Sequence, residues 1–411
     1  MPRIKPFRCI HPADGLWQQV AALPYDVYNR AEAREAVAGK PLSFLNIDRP
    51  ETQFPETQDM YAAEVYEKAG EMLRQEIADG VFVQEPEEVY YLYELTMDGR
   101  KQCGIVVGAS IDDYLEGSIR KHENTRAEKE EDRIRHVDTC DHQTGPIFLS
   151  YRQTDKLREL SLRVREGEPV FDFTSEDGIT HRGWKVADAA DIAVITDETA
   201  AMEALYIADG HHRAASAVKV GLKRRAEKGT VTGEEEFNYF LSVMFPDEEL
   251  MIMDYNRVIK DLKGMTAQEL LEKIGGVCDI KPEAEAVKPA KKGEAGLYLD
   301  DQWYRLSFKD EVKSDDPVEG LDVSILQNTI LGPILGIQDP KTDPAIDFVG
   351  GIRGLQELER RVHTDCKAAF SMYPTSIAEL FSVADDRKLM PPKSTWFEPK
   401  LRSGLFLHSL S

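Results

Sequence analysis

The feature that most restricts the fold of this sequence is the stretch 206–217, Tyr-Ile-Ala-Asp-Gly-His-His-Arg-Ala-Ala-Ser-Ala. Leu205 and Ile207 lead into the Asp-Gly pair, and residues rich in Ala and Val follow at helical spacing. This order predicts a strand, a tight turn at Gly210 and a helix that begins at His211. A glycine allows close approach of the backbone to a ligand, and a helix N-terminus offers N–H groups with partial positive charge.

The side chains at this turn favour an anion site. His211, His212 and Arg213 fall on the first helical turn, where cations oppose the helix dipole unless an anion is present. An Arg fork, imidazoles and backbone amides suit a polyphosphate, and Asp209 is placed to bind Mg²⁺ or to act as a general base. The alternative is a plain capped turn, since Asp-Gly before a helix is common.

The composition limits the classes of partner. The chain has 411 residues, enough for two or three domains, and a net charge of −23. An acidic chain argues against DNA or RNA as a partner, and no apolar run is long enough to span a membrane. The five scattered cysteines and the lack of a signal-like start lead us to expect a cytoplasmic protein without a disulfide framework.

The periodicity predicts a mixed α/β fold. A β-hairpin is expected at 89–111 around Asp98-Gly99, and a short strand at 42–47. A strand at 238–245 follows the helix from His211, which suggests a βαβ-like unit with its ligand at the carboxyl end of the first strand. We expect a catalytic core in residues 1–250 and a second α/β module in residues 251–411, whose tail returns to the site.

Three other segments carry candidate residues. Lys121, His122, Glu123, Asn124 and Thr125 bring together a cation, an imidazole, a carboxylate and a hydroxyl. Glu123 is a candidate acid/base or metal ligand, although the segment is also consistent with a charged surface.

Asp26 follows Pro24-Tyr25, and its carboxylate is either a helix cap or a group held at the edge of a cleft. The tail 390–405 contains three prolines and a set of phosphate-binding residue types, namely Lys393, Ser394, Thr395, Lys400 and Arg402. It is either a second anion-binding arm or a proline-rich tail fixed by Trp396 and Phe397.

These motifs together resemble a bacterial family catalogued as a domain of unknown function. The resemblance rests on Leu23-Pro24-Tyr25-Asp26-Val27, the Asp-Gly-His-His-Arg turn at 209–213, the segment 121–125 and Pro391-Pro392-Lys393-Ser394-Thr395. The turn is also similar to that of the free-serine kinases of the ParB–sulfiredoxin superfamily, in which the equivalent turn holds nucleotide phosphates. The sulfiredoxin cysteine is absent, because Gly210 is followed by His211.

The resemblance implies a ParB/sulfiredoxin-like nucleotide-binding core that transfers phosphate from ATP or ADP to free L-serine. Gly210, His211, His212, Arg213 and the set Lys121, Thr125, Lys393, Ser394 and Thr395 would then bind the nucleotide. Asp209 would bind Mg²⁺, and Asp26 or Glu123 would accept the serine proton. A nucleotide-binding regulatory switch and a nucleotide hydrolase remain open alternatives, and the sequence gives no oligomeric state.

Overall fold

The computed structural model describes residues 1–125 and 127–411 and contains two compact units. Unit 1 comprises Met1–Leu250 and Pro399–Ser411, and unit 2 comprises Met251–Glu398. The last residues of the expected second module, 399–411, thus belong to unit 1. The reason is backbone pairing: Ser403 bridges to Ala22, and Leu407 bridges to Ile10.

The strands of unit 1 before its C-terminal segment are β1 (Ile4–Lys5), β2 (Ile10–Pro12), β3 (Phe82–Gln84), β4 (Tyr90–Met97), β5 (Arg100–Ser110), β6 (Ile119–Arg120), β7 (His142–Gln143), β8 (Ile147–Tyr151), β9 (Phe171–Thr174), β10 (Thr180–Val186), β11 (Leu205–Asp209) and β12 (Tyr239–Pro246). The helices are α1 (Trp17–Val20), α2 (Arg30–Val37), α3 (Leu45–Asp48), α4 (Ala63–Ala78), α5 (Ile111–Glu116), α6 (Ala127–Cys140), α7 (Asp155–Val164), α8 (Ala189–Ala200) and α9 (His211–Lys228).

The main sheet of unit 1 is mixed, in the order β6-β11-β8-β12-β5-β4-β10-β9, with β1 also paired to β5. Strand β11 runs parallel to β6 and antiparallel to β8, whereas β8 and β12 are parallel. Strands β11 and β12 therefore run in opposite directions on either side of β8. The expectation of a βαβ-like unit was wrong in this respect, because a strand distant in sequence separates the two.

Local patterns gave most of the other elements correctly. The strand, turn and helix at 205–228 are confirmed, as is the β4–β5 hairpin, in which Asp98 and Gly99 both have positive φ. The strand expected at 42–47 was wrong, because helix α3 forms there instead. Asn46 explains the difference: its side-chain amide donates to the carbonyl oxygens of Lys40 and Ser43 at 3.0 Å and closes a compact turn.

Helix α9 packs its small and branched residues against the sheet beside β11. Ala214 and Val218 lie in one buried cluster with Ile207, Leu149 and Phe240. Since burying apolar surface contributes about 25 cal/mol per Å², this cluster fixes the helix on the strand that precedes it. The turn between β11 and α9 is therefore held by the core of unit 1, and the predicted mixed α/β class is confirmed.

Unit 2 contains β13 (Ile252–Met253), β14 (Tyr255–Ile259), β15 (Cys278–Glu283), β16 (Glu294–Leu299), β17 (Gln302–Phe308), β18 (Ile346–Gly350), β19 (Ala368–Met372) and β20 (Trp396–Phe397), with α10 (Ala267–Ile274), α11 (Asp322–Leu326), α12 (Leu355–Thr364) and α13 (Ile377–Asp385). Its main sheet is antiparallel, in the order β15-β17-β16-β19-β14-β18. Strand β21 (His408–Ser409) returns to unit 1 and pairs with β7.

Candidate functional site

The candidate site is built around the turn between β11 and α9. Gly210 has φ +89° and ψ 30°, a left-handed conformation that glycine adopts without strain. A Cβ atom at this position would lie 3.1 Å from Nε and Nη2 of Arg213. Glycine is therefore required here both by the backbone and by the close approach of the guanidinium.

Asp209, at the end of β11, is held by two hydrogen bonds. Its Oδ1 accepts from the backbone N–H of Gly210 at 2.8 Å, and its Oδ2 accepts from Nζ of Lys400 at 3.1 Å. Burial raises the pKa of Asp209, but the charges of Lys400 and Arg213 outweigh that effect and hold it below its usual range. Asp209 is therefore ionised at neutral pH.

Two buried histidines lie beside the turn. The rings of His122 and His211 meet edge to face, with centroids 4.5 Å apart, and the residues are 2% and 6% exposed. Desolvation lowers the pKa of His122 to about 4 and the pKa of His211 well below its usual value, so both rings are neutral at pH 7. Among the described residues, neither Nδ1 of His122 nor Nε2 of His211 has a hydrogen-bond partner.

Unpartnered buried nitrogens are costly, about 1–3 kcal/mol each, and such atoms call for a physical explanation. The ring of His122 is hydrogen-bonded to the backbone of Ile207 on β11, which fixes its position next to the turn. A ligand that accepts a hydrogen bond from His211 would remove this cost. Neutral imidazoles can donate such a bond without adding positive charge to the helix N-terminus.

Arg213 forms one wall of a small cavity in unit 1. Its Nη1 donates to the carbonyl oxygen of Pro146 at 2.6 Å. The cavity has a volume of about 30 Å³ and is also lined by Tyr25, Thr144, Gly145 and Ser403. That volume is on the scale of an ordered water.

The buried carboxylate of Asp48 holds the loop 144–146 in place. Thr144 Oγ1 donates to Oδ1 of Asp48 at 2.9 Å, and the two residues are 6% and 3% exposed. A Cβ atom at Gly145 would lie 3.1 Å from Oγ of Ser403 and 3.5 Å from Nη1 of Arg213. The loop thus faces Arg213 without a side chain between them.

Asp26 and Glu123 each adjoin, in the sequence, a residue that lies at the site. Asp26 is exposed on the 3₁₀ turn Tyr25–Val27, and Tyr25 lines the cavity shared with Arg213. Glu123 is half-buried and follows His122, whose ring contacts His211. The role of either carboxylate as the proton acceptor stays a prediction.

Lys121 and His212 lie close to the same turn. Lys121 is exposed, with Nζ 5.8 Å from the ring of Tyr114, and its charge contributes to the low pKa of His211 after burial, His122 and His212. His212 is half-buried, and its charge is among those that lower the pKa of Glu130.

Thr125 is engaged elsewhere, because its hydroxyl donates to Oε1 of Glu130. Glu130 also accepts from Nζ of Lys219 on α9. Burial raises the pKa of Glu130, but these two hydrogen bonds outweigh it and lower the pKa below its usual range. Thr125 therefore ties its segment to α6 and α9.

The predicted tail residues Lys393, Ser394 and Thr395 lie in unit 2. Lys393 is exposed with φ 59°, and its Nζ is 5.5 Å from the ring of Tyr255. Ser394 is buried, and its hydroxyl donates to the carbonyl oxygen of Pro391 at 2.6 Å. The anion-binding role of these residues stays a prediction.

The donor set limits how Mg²⁺ could bind. Among the described residues, no group of three or more His, Cys, Asp or Glu side chains could hold a metal ion. Mg²⁺ often binds through one or two carboxylates and completes its shell with phosphate oxygens and water, so Asp209 with a bound nucleotide fits. Because Oδ2 of Asp209 accepts from Lys400, ligation through that oxygen requires Lys400 to release it.

Sequence reasoning missed the loop 144–146 and Ser403 as parts of this site. Thr144-Gly145-Pro146 directly precedes the apolar strand β8, and a small residue, a glycine and a proline before a strand are a local signal for a turn. No local signal places Ser403 there, because its position depends on the bridge to Ala22. Within the described part of the chain, no helix is both long enough and apolar enough to cross a membrane.

The chain belongs to the family described as "Protein of unknown function (DUF1015)", whose sequence profile matches residues 4–324. The predicted membership in a family of unknown function is thereby confirmed. A comparison with curated proteins found no match.

Solved structures that resemble the chain include free serine kinase in complex with AMP, at 14% identity and a TM-score of 0.34, covering 72% of this chain and 86% of that chain. A conserved hypothetical protein from Pyrococcus furiosus is 13% identical with a TM-score of 0.34, covering 73% of this chain and 93% of that chain. SbnI with C-terminal truncation from Staphylococcus aureus is 12% identical with a TM-score of 0.38, covering 71% and 82% respectively.

Proposed function

We propose that this DUF1015 protein is a kinase that transfers a phosphoryl group from ATP or ADP to the hydroxyl of free L-serine, giving O-phosphoserine. The observation that carries the proposal is the cradle at 209–213, in which a left-handed Gly210 opens α9 beside His211, Arg213 and an ionised Asp209. The choice of serine comes from the similarity of the Asp-Gly-His-His-Arg turn to that of the free-serine kinases.

The nucleotide phosphates would bind at the start of α9. Its first turn carries no acidic residue, and no described side chain caps it. Backbone amides and the helix dipole favour an anion there, and the Arg213 guanidinium adds charge-assisted hydrogen bonds. His211, neutral and protonated at Nε2, would donate to a phosphate oxygen and lose its unpartnered state.

Lys400 and Asp209 would exchange partners when a nucleotide binds. Lys400 now donates to Asp209, and its ammonium can move to a phosphate oxygen while the carboxylate turns to Mg²⁺. Bound Mg²⁺ supplies charge neutralisation on the phosphates. Both charged groups would then remain paired.

The reaction requires few further groups. The serine oxygen attacks the terminal phosphorus, a new O–P bond forms, and the bond to the bridging oxygen breaks with its electron pair leaving on the nucleotide. The serine proton goes to a carboxylate, for which Asp26 and Glu123 are the candidates. Each is next to a residue at the cradle, Tyr25 or His122.

The test is to incubate the full chain with ATP or ADP, Mg²⁺ and L-serine and to measure O-phosphoserine by mass spectrometry. Asp209→Asn and Arg213→Gln keep approximate side-chain size and should each reduce the rate by about 100-fold or more, since each removes charge stabilisation at the phosphates. Lys223→Gln is the matched control, because Lys223 is an exposed residue further along α9 that pairs with Asp138.

Asp26→Asn and Glu123→Gln separate the two candidate bases, since only the base variant should lose the rate without losing nucleotide binding. Nucleotide binding without product from either nucleotide would overturn the kinase proposal in favour of a regulatory switch. Phosphate release that does not depend on serine would instead indicate a hydrolase.

A further inference from the structure

Unit 1 has a second, larger cavity, with a volume of about 570 Å³, away from the 209–213 cradle. Ala21, Ala36, Leu42 and Leu45 contribute apolar wall, and Tyr28 and Ser43 contribute hydroxyl-bearing side chains. A volume of this order and a mixed lining are typical of small-molecule sites.

The second cavity is separate from the one at Arg213, because the two share no lining residue. Residues Arg402 and Ser403 are neighbours in a segment that bridges to Ala22, yet Arg402 lines the larger cavity and Ser403 lines the smaller one. These two adjacent residues thus line different cavities. A ligand in the larger cavity would therefore not occupy the phosphate cradle.

The charged residues around this cavity form two ion pairs. Nη2 of Arg402 donates to Ser175 Oγ at 3.0 Å and pairs with the carboxylate of Asp177. At the rim, Nζ of Lys40 donates to both carboxylate oxygens of Glu176, at 2.7 and 2.8 Å. Positive and negative groups thus line one cavity and balance each other.

Arg402 adds a further reason to expect a polar ligand. It is 3% exposed, and among the described residues its Nη1 is buried without a hydrogen-bond partner. A guanidinium that carries an unsatisfied donor is costly to bury, and the negative charge of a ligand in this cavity would offset part of that cost.

We propose that this cavity binds a free α-amino acid with an apolar side chain. The carboxylate of such a ligand meets Arg402 or Lys40, its ammonium meets Asp177 or Glu176, and its side chain covers the alanine and leucine wall. A simple anion would face two carboxylates and a simple amine two cations, whereas a zwitterion complements both signs. The inference is independent of the kinase proposal.

Isothermal titration calorimetry of the full chain with L-leucine, in the absence of nucleotide, tests the proposal. The comparison ligands are 4-methylpentanoate, which lacks the ammonium group, and 3-methylbutylamine, which lacks the carboxylate. We expect saturable binding of L-leucine and at least about tenfold weaker binding of both analogues, the equivalent of about 1.4 kcal/mol or more. Equal binding of L-leucine and 4-methylpentanoate would overturn the zwitterion assignment.

Two substitutions on helix α2 test whether L-leucine binds in this cavity. Ala36→Phe fills the cavity from its wall and should abolish binding, whereas Ala31→Phe adds the same group at an exposed position on the same helix and should leave it unchanged. The proposal fails if L-leucine gives no saturable heat or if Ala36→Phe binds normally. The proposal also fails if Arg213→Gln abolishes L-leucine binding, because the ligand would then occupy the cradle. The kinase proposal is tested separately, by the formation of O-phosphoserine.

Discussion

Lys400 donates a hydrogen bond of 3.1 Å to Oδ2 of Asp209, although the two residues are 191 positions apart in the chain. The Lys400 and Asp209 side chains are 17% and 35% exposed, so that water only partly screens the pair. This contact attaches the C-terminal segment to the turn between β11 and α9. It also places a second cation, beside Arg213, at the only carboxylate of the turn.

Replacing Lys400 by Gln should weaken the fold at neutral pH and have a smaller effect at low pH. The pKa of Asp209 is lowered in the folded protein, so the pair stabilises the fold above the unfolded pKa, near 4, and this contribution disappears as the pH falls below that value. Without Lys400 the contribution at neutral pH is smaller by about 1 kcal/mol after allowance for solvent screening. Urea unfolding of the wild type and of Lys400→Gln at pH 7 and pH 3 measures this contribution to the free energy of unfolding.

The difference between wild type and Lys400→Gln should shrink at pH 3. Lys388→Gln is the control, since Lys388 pairs with Asp316 in unit 2 and its loss leaves Asp209 unchanged. A difference of equal size at both pH values would mean that Lys400 acts through packing alone.

Gly210→Ala should lower both stability and nucleotide affinity. The left-handed backbone costs an alanine about 1–2 kcal/mol, and the new Cβ meets the Arg213 guanidinium at 3.1 Å. Gly117→Ala is a matched control, because Gly117 has φ 86° and ψ 19° but no atom within 4 Å of the added Cβ. Equilibrium unfolding together with ATP titration separates the two effects.

Both variants should lose similar stability, but only Gly210→Ala should bind nucleotide more weakly. Similar nucleotide affinities in the two variants would show that Arg213 does not need its present position for binding.

The buried histidine pair should make stability depend on pH between about 4 and 6.5. Because burial lowers the pKa of His122 to about 4, the unfolded chain binds this proton more readily than the folded chain. Stability is therefore complete above pH 6.5 and decreases as the pH falls towards 4, by about 3 kcal/mol at most for this group. Replacing His122 by Phe removes the titration and should flatten the unfolding free energy over this range.

His363→Gln provides the comparison, since His363 is 57% exposed on its side chain and lies in unit 2. NMR titration of the imidazole signals would measure the pKa of His122 directly. A His122 signal that titrates near pH 6.5 would contradict the argument.

Thr144→Val should destabilise unit 1 and weaken nucleotide binding. Valine has nearly the same shape but removes the hydrogen bond to the buried Asp48, at a cost of about 1–3 kcal/mol. Thr199→Val is the control, because the buried Thr199 hydroxyl donates at 2.8 Å only within its own helix, to Ile195. If Thr144→Val loses stability but keeps full nucleotide affinity, loop 144–146 is structural and takes no part in the site.

Local sequence determined the elements whose hydrogen bonds and periodicity are local. The Asp-Gly-His-His-Arg turn predicted a strand, a glycine turn and a helix because each signal lies within a few residues of the structure it specifies. The same holds for the β4–β5 hairpin. The short apolar run 42–47 was misassigned, since such a run fits a strand and a buried helical turn equally well.

Only the tertiary structure decided which distant residues meet at that turn. The order of strands in the sheet places β8 between β11 and β12, and the bridge between Ser403 and Ala22 brings the C-terminal segment back to unit 1. Lys400, Ser403 and the loop 144–146 reach the site through these pairings, which burial of the whole core selects and which have no periodic signature in the chain. The sequence thus determined the turn on which the candidate site is built, and packing determined which distant residues lie beside that turn.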